Sequence, residues 1–187
     1  VQNELSCLGG FPNFFGHQRF GTVRPVSHVV GGCLVRGNFE EAALTFLALP
    51  SPYEHPESRE ARQRLRDTQD FMEALRCFPT HLSYELLMLS HLAREPKDFA
   101  GAFRKLPLKL RRLLVQAYQS FLFNKVLSER MKLGVGLNEP QVGDYVVHLD
   151  SHGLPTTEFT QATPQSPSSV KKALREGKAR VALPIIG

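Results

Sequence analysis

Pro12-Asn-Phe-Phe-Gly-His-Gln-Arg-Phe-Gly21 is the densest run of recognition chemistry in the chain. Phe14, Phe15 and Phe20 offer aromatic rings, and Asn13 and Gln18 offer amide donors and acceptors. Arg19 adds a fork of donors that suits a phosphate or a base edge. Flipped or single-stranded RNA bases are held in this way, stacked on rings while amides read their edges. Gly16 and Gly21 let the backbone turn or approach a ligand closely. A purely structural reading is also open: a strand and turn whose phenylalanines enter the core, with Gln18 and Arg19 exposed.

Around this run the chain reads as an ordinary globular protein. It has 187 residues, 42% of them hydrophobic and 22% charged. That length fits one large or two small domains. No run of about 18 apolar residues occurs, so no membrane span is expected. No signal-peptide pattern opens the chain, which begins at Val1. It closes on Val181-Ala-Leu-Pro-Ile-Ile-Gly187, and both ends read as cut from a longer protein. Cys7, Cys33 and Cys77 are widely spaced and form no C-x-x-C pair. They are expected to be free thiols in a reducing cytosol. No histidine stands at ligand spacing from another His or Cys, so no metal site is expected.

The formal net charge of +5 is unevenly spread. Residues 37–103 hold 7 Lys/Arg against 11 Asp/Glu, whereas residues 104–132 hold 8 against 1 and residues 171–180 hold 5 against 1. Phosphate binding follows the local field, not the sum. Lys105, Lys109, Arg111, Arg112, Lys171 and Lys172 are therefore candidate contacts to an RNA backbone. The alternative is two solvated faces balanced by acidic neighbours in the fold.

The periodicity predicts an α+β fold, helical over 38–134 and with a small sheet over 142–187. Residues 1–36, rich in Gly, Phe and Val, are expected to be extended or irregular and broken at Gly31-Gly32. Asn38, with Glu41 three residues on, has the pattern of a capping box opening a helix over 39–48. Ser58 is expected to cap one helix running through Ala61, Leu65, Thr68, Met72 and Leu75, with Arg59, Arg62 and Arg66 on its solvated side. A further helix is expected over 83–94, and a short one capped by Asp98. The longest helix should run over 108–133, with Pro107 at its start and Gly134 at its end. Tyr118, Phe121 and Phe123 on it are read as packing residues. Strands are expected over 144–149, 156–160 and 179–185, with a helix over 170–176.

The decapeptide resembles the (P)N-[YF]-F-G-x-Q-R-F-G signature of the TruD family of pseudouridine synthases, with only His17 at the variable position. The likeness continues in order along the chain. His28-Val-Val-Gly31 is similar to the family's segment after that motif. Gln116-Ala-Tyr-Gln-Ser-Phe-Leu-Phe-Asn124, with Leu127 and Arg130, resembles its A-x-[RQ]-S-[YFW]-[IL]-F-N helix. Pro140 with Gly143-Asp144, and Ala182-Leu-Pro-Ile-Ile-Gly187, match two later elements, and the spelling is closer to archaeal than to bacterial members.

The resemblance implies isomerisation of uridine to pseudouridine in tRNA, typically at position 13, without cofactor or metal. It implies that residues 1–36 are a strip of the catalytic domain and that residues 37–187 are the family's inserted domain. In the family an aspartate attacks the nucleotide so that the base detaches, turns and rejoins through carbon. Asn13 would orient that aspartate and Phe15 would pack on the flipped base, while Phe14, Gln18, Arg19 and Phe20 would shape the RNA pocket. The aspartate itself lies upstream of this motif in the family, and no aspartate precedes Asp67 here. None of the available acids is taken as nucleophile; Asp144 reads as part of a turn at a strand start. The chain alone is expected to be inactive, and the full-length protein to be a cytoplasmic monomer that binds tRNA. Two other readings use the same residues: a non-catalytic RNA-binding module, and a helical protein-interaction domain.

Overall fold

The computed structural model describes residues 12–166 and 168–183. Among them are eight α-helices and one three-stranded sheet, an α+β fold. Their contacts define two compact units, residues 15–121 and, separately, residues 12–14 with 122–183. Helices on both sides of position 36 contribute to one core in the first of these units.

The first unit contains α1 (Ser27–Val35), α2 (Phe39–Ala48), α3 (Pro56–Thr68), α4 (Phe71–Cys77), α5 (Ser83–Leu92) and α6 (Phe99–Arg104). It also holds the part of α7 (Leu108–Lys132) up to Phe121. Val30, Cys33, Leu47, Leu65, Met88, Leu89, Leu92 and Leu114 form its fully buried centre. Asp98 caps α6 as expected, accepting the Gly101 N–H at 2.8 Å. That bond, and then the His91 ring, hold the Asp98 carboxyl below its ordinary pKa.

Several expectations are corrected in this unit. Residues 27–35 are helical, not extended. The reason is tertiary: a Cβ at Gly31 would stand 2.1 Å from the Leu114 carbonyl oxygen of α7, so the glycine is what lets α1 cross that backbone. Packing of this kind overrides weak helix propensity. Second, the single helix expected through residues 61–75 breaks at Gln69, which has a φ of 53°. Asp70 then caps α4 by accepting the Glu73 N–H at 2.9 Å, and an Arg64–Glu73 ion pair spans the break. Third, α3 starts at Pro56, and the Ser58 hydroxyl pairs with the His81 ring instead of capping. Asn38 precedes α2 but its side chain makes no cap bond; its amide donates to Glu41 at 3.4 Å.

The last correction concerns Arg62, which is not on a solvated face but only 2% exposed. Its guanidinium donates to Glu85 at 2.6 Å, to Glu54 at 3.0 Å, and to the Phe46 and Leu47 carbonyls at 3.2 and 2.9 Å. Arg24 donates to the Phe46 and Leu49 carbonyls at 2.7 and 3.0 Å. Two arginines thus close the C-terminal end of α2, where carbonyls lack helical partners and the dipole favours cations. Burial, then the neighbouring Arg62, pulls the Arg24 pKa down to about 10, so it stays charged at neutral pH.

In the second unit α7 closes at Gly134, whose φ is 70°, with the Val135 N–H bonded to the Arg130 carbonyl at 3.1 Å. This is the expected left-handed glycine cap. The antiparallel strands β1 (Tyr145–Leu149), β2 (Pro155–Gln161) and β3 (Ala179–Ala182) lie in the order β2-β1-β3. The amphipathic α8 (Ser168–Arg175) buries Val170 against Val146 and Ala179. Within the described residues the last strand covers Ala179–Ala182; residues 184–187, which carry the end of the expected strand and of the terminal sequence match, lie outside them, as does Cys7. Among the described residues no helix is long and apolar enough to cross a membrane.

Candidate nucleic-acid interface

The decapeptide does not form a strand. Gly16 precedes a single 3-10 turn over His17–Arg19, and Gly21, with a φ of 105°, turns the chain. A Cβ at Gly21 would meet the Arg24 carbonyl oxygen at 2.4 Å, whereas one at Gly16 would meet nothing within 4 Å. Gly21 is therefore demanded by the turn, while Gly16 leaves open space over the backbone.

Within the first unit the motif is held by groups from α1 and α7. Arg19 Nε donates to Ser120 Oγ at 2.9 Å, and that hydroxyl donates in turn to the Gln116 carbonyl at 2.9 Å. Ser120 is 1% exposed, so it anchors the guanidinium from a buried position. The Arg19 guanidinium carbon also lies 5.6 Å from the Phe15 ring centroid, within cation–π range. Phe20 meets the His28 ring edge-on at 5.1 Å, and His28 lies 4.7 Å from Phe121. Phe15 and Phe20 are half-buried and Gln18 is exposed.

Asn13 belongs to the second unit, is exposed, and with Pro12 lines a cavity of about 380 Å³ beside Phe123, Leu127, Arg130 and Arg180. Phe14 is 41% exposed. Asp144 is committed elsewhere in that unit. It accepts from Arg130 Nη1 and from the Gln141 N–H, both at 2.7 Å, while Arg130 also donates to the Glu139 carbonyl. The acid therefore braces the turn before β1.

His28 and Ser120 carry geometry that residue types alone did not disclose. The signal for Ser120 was a hydroxyl in a buried apolar helix face; for His28, a ring eight residues past Phe20. His28 Nδ1 is buried with no hydrogen-bond partner among the described residues. Burial lowers the His28 pKa below its ordinary 6.5. The unfolded chain then binds the proton first, so the stabilisation from the neutral ring is complete above about pH 6.5 and is lost as pH falls toward the native value. An NMR titration should place the His28 midpoint below 6.5, and His28→Phe should flatten the acid side of the stability profile; a midpoint at or above 6.5 would contradict the stack.

The basic candidates separate. Lys105, Lys109 and Arg112 are exposed, whereas Arg111 is half-buried, with its Nε buried and unpartnered among the described residues. Lys171 and Lys172 are exposed on α8 of the second unit, Lys172 lying 3.7 Å from Glu176. His91, Glu95 and Asp98 come within 4.8 Å of one another, a grouping the sequence reading did not name. The 2.9 Å His91–Asp98 contact and the Gly101 cap account for it.

A family model described as tRNA pseudouridine synthase D (TruD) matches residues 1–187. The chain belongs to this family. A relative named tRNA pseudouridine synthase D from Methanosarcina barkeri is 44% identical over 99% of this chain and 42% of its own length. One from Methanopyrus kandleri is 51% identical over 80% of this chain and 36% of its own length. The crystal structure of the TruD protein from Methanosarcina mazei superposes with a TM-score of 0.91 at 42% identity, covering 99% of this chain and 43% of that one. The chain thus spans about two fifths of the length of these relatives.

Proposed function

We propose that the chain is part of an enzyme that converts uridine to pseudouridine in tRNA, at position 13, and that the 187 residues alone do not catalyse the reaction. The observation that carries this reading is the anchored decapeptide. Its guanidinium is fixed by Ser120 over the Phe15 ring, and Phe20 is fixed by His28. Such preorganisation suits a wall against which a flipped base is stacked and read. Asn13 would orient the nucleophilic aspartate, contributed by sequence upstream of Val1. Residues 1–36 would belong to the catalytic domain and residues 37–187 to the family's insertion, with Lys171, Lys172, Lys105, Lys109 and Arg112 along the tRNA backbone. Asp144 is assigned instead to the turn before β1, where it accepts from Arg130 and from the Gln141 N–H.

The test compares the 187-residue chain with the full-length protein that contains it, on unmodified tRNA whose uridines are tritiated at C5. Tritium release at position 13 is expected from the full-length protein, and none above background from the chain. Release by the chain alone, or none by the full-length protein, would overturn the reading.

A further inference from the structure

We infer that the exposed row Lys109–Arg112–Gln116 on α7 is a track for an RNA phosphodiester backbone that ends at Arg19 of the decapeptide. This deepens the proposed function and rests on its premise that the ligand is RNA. Residues three and four apart lie above one another on a helix, so positions 109, 112 and 116 form one row. All three are exposed, and among the described residues Lys109 and Arg112 have no ion-pair or hydrogen-bond partner. Four residues past Gln116 comes Ser120, the group that holds Arg19 Nε. The Arg19 fork therefore stands at the end of the row, and its two terminal nitrogens have no partner among the described residues. From position 109 to position 120 the helix rises roughly 16 Å, enough for several phosphates of one strand.

Charge argues for the same occupant. From Leu108 to Phe121 α7 carries no acid. Its cations crowd an end that the helix dipole already makes positive, and they repel one another. Phosphates on the row relieve both effects. Arg111 is excluded from it, because one residue is a rotation of about 100° around the helix and its Nε is buried.

The experiment measures binding of labelled tRNA to the 187-residue chain by anisotropy across a KCl series. Lys109→Ala and Arg112→Ala are each expected to flatten the slope of log K against log salt by about 1, and the double variant by about 2. Lys109→Arg should keep the slope, and Arg111→Ala should leave it unchanged. If the unaltered chain binds with a steep slope that neither Lys109→Ala nor Arg112→Ala changes, the track fails and the RNA reading stands. Equal flattening by Arg111→Ala also sinks it, since that marks a diffuse field and not a row. Absence of salt-dependent tRNA binding by the unaltered chain overturns the track, and tritium release by the full-length protein then decides whether the RNA premise stands.

Discussion

Arg62→Met is expected to lower the unfolding free energy by about 3–5 kcal/mol, the usual result of stripping one partner from a buried ionic network. The substitution keeps the aliphatic stem and removes only the guanidinium. It leaves Glu85 and Glu54, with side chains about a tenth exposed, without that cation, although Arg24 stays 3.7 Å from Glu85 and the Ser51 N–H still donates to Glu54. It also leaves the Leu47 carbonyl without its donor, although Arg24 still serves Phe46. Equilibrium urea unfolding reads the effect as a midpoint lower by about 1–2 M at a slope near 2–3 kcal/mol/M. Arg62→Met combined with Glu85→Leu should recover part of the loss, because a buried carboxylate is removed together with its shortest-range cation. A midpoint unmoved in Arg62→Met would mean that the network contributes nothing net to stability.

Gly31→Ala should cost about 2 kcal/mol or more, against the usual direction for a helical glycine. Alanine alone would gain about 1 kcal/mol in helix propensity. Here its methyl would lie 2.1 Å from a backbone oxygen of α7, and no rotamer change can clear that contact. The two helices must part, and strain of this kind costs about 1–3 kcal/mol or more. Gly32→Ala is the control. The nearest neighbours of its Cβ would be side chains, Tyr118 ring atoms at 3.1 and 3.2 Å and Arg36 Nη1 at 3.5 Å, which can shift, so the net change should be near zero. Thermal unfolding of the two variants separates the cases, and equal melting temperatures would refute the crossing geometry.

Much of the fold was legible where one residue type settles a local question. Asp98 starts a helix and Gly134 stops one through bonds to near neighbours, and the 145–182 sheet follows from alternation and turns. Most of what misled was decided at long range, although the local break at Gln69, followed by the Asp70 cap, also went unread. The valines and glycines of 27–35 favour extended backbone until α7 is placed against them. Arg62 shares a helix face with Arg59 and Arg66, and nothing local says that two glutamates and the end of α2 await it. The site divides in the same way. The residue types of the decapeptide disclosed its chemistry, whereas the grip of Ser120 on Arg19 and of His28 on Phe20 needed the fold. Arg111 and Arg112 look equivalent in sequence because adjacency conceals a quarter-turn of helix.

The contact between Arg19 and Ser120 joins positions 101 residues apart. During synthesis the decapeptide leaves the ribosome long before the hydroxyl that fixes its guanidinium has been made. A nascent chain therefore displays the motif as loose side chains for most of its elongation. Its recognition surface is completed only when α7 arrives, so an excised decapeptide has the letters of the motif without its geometry.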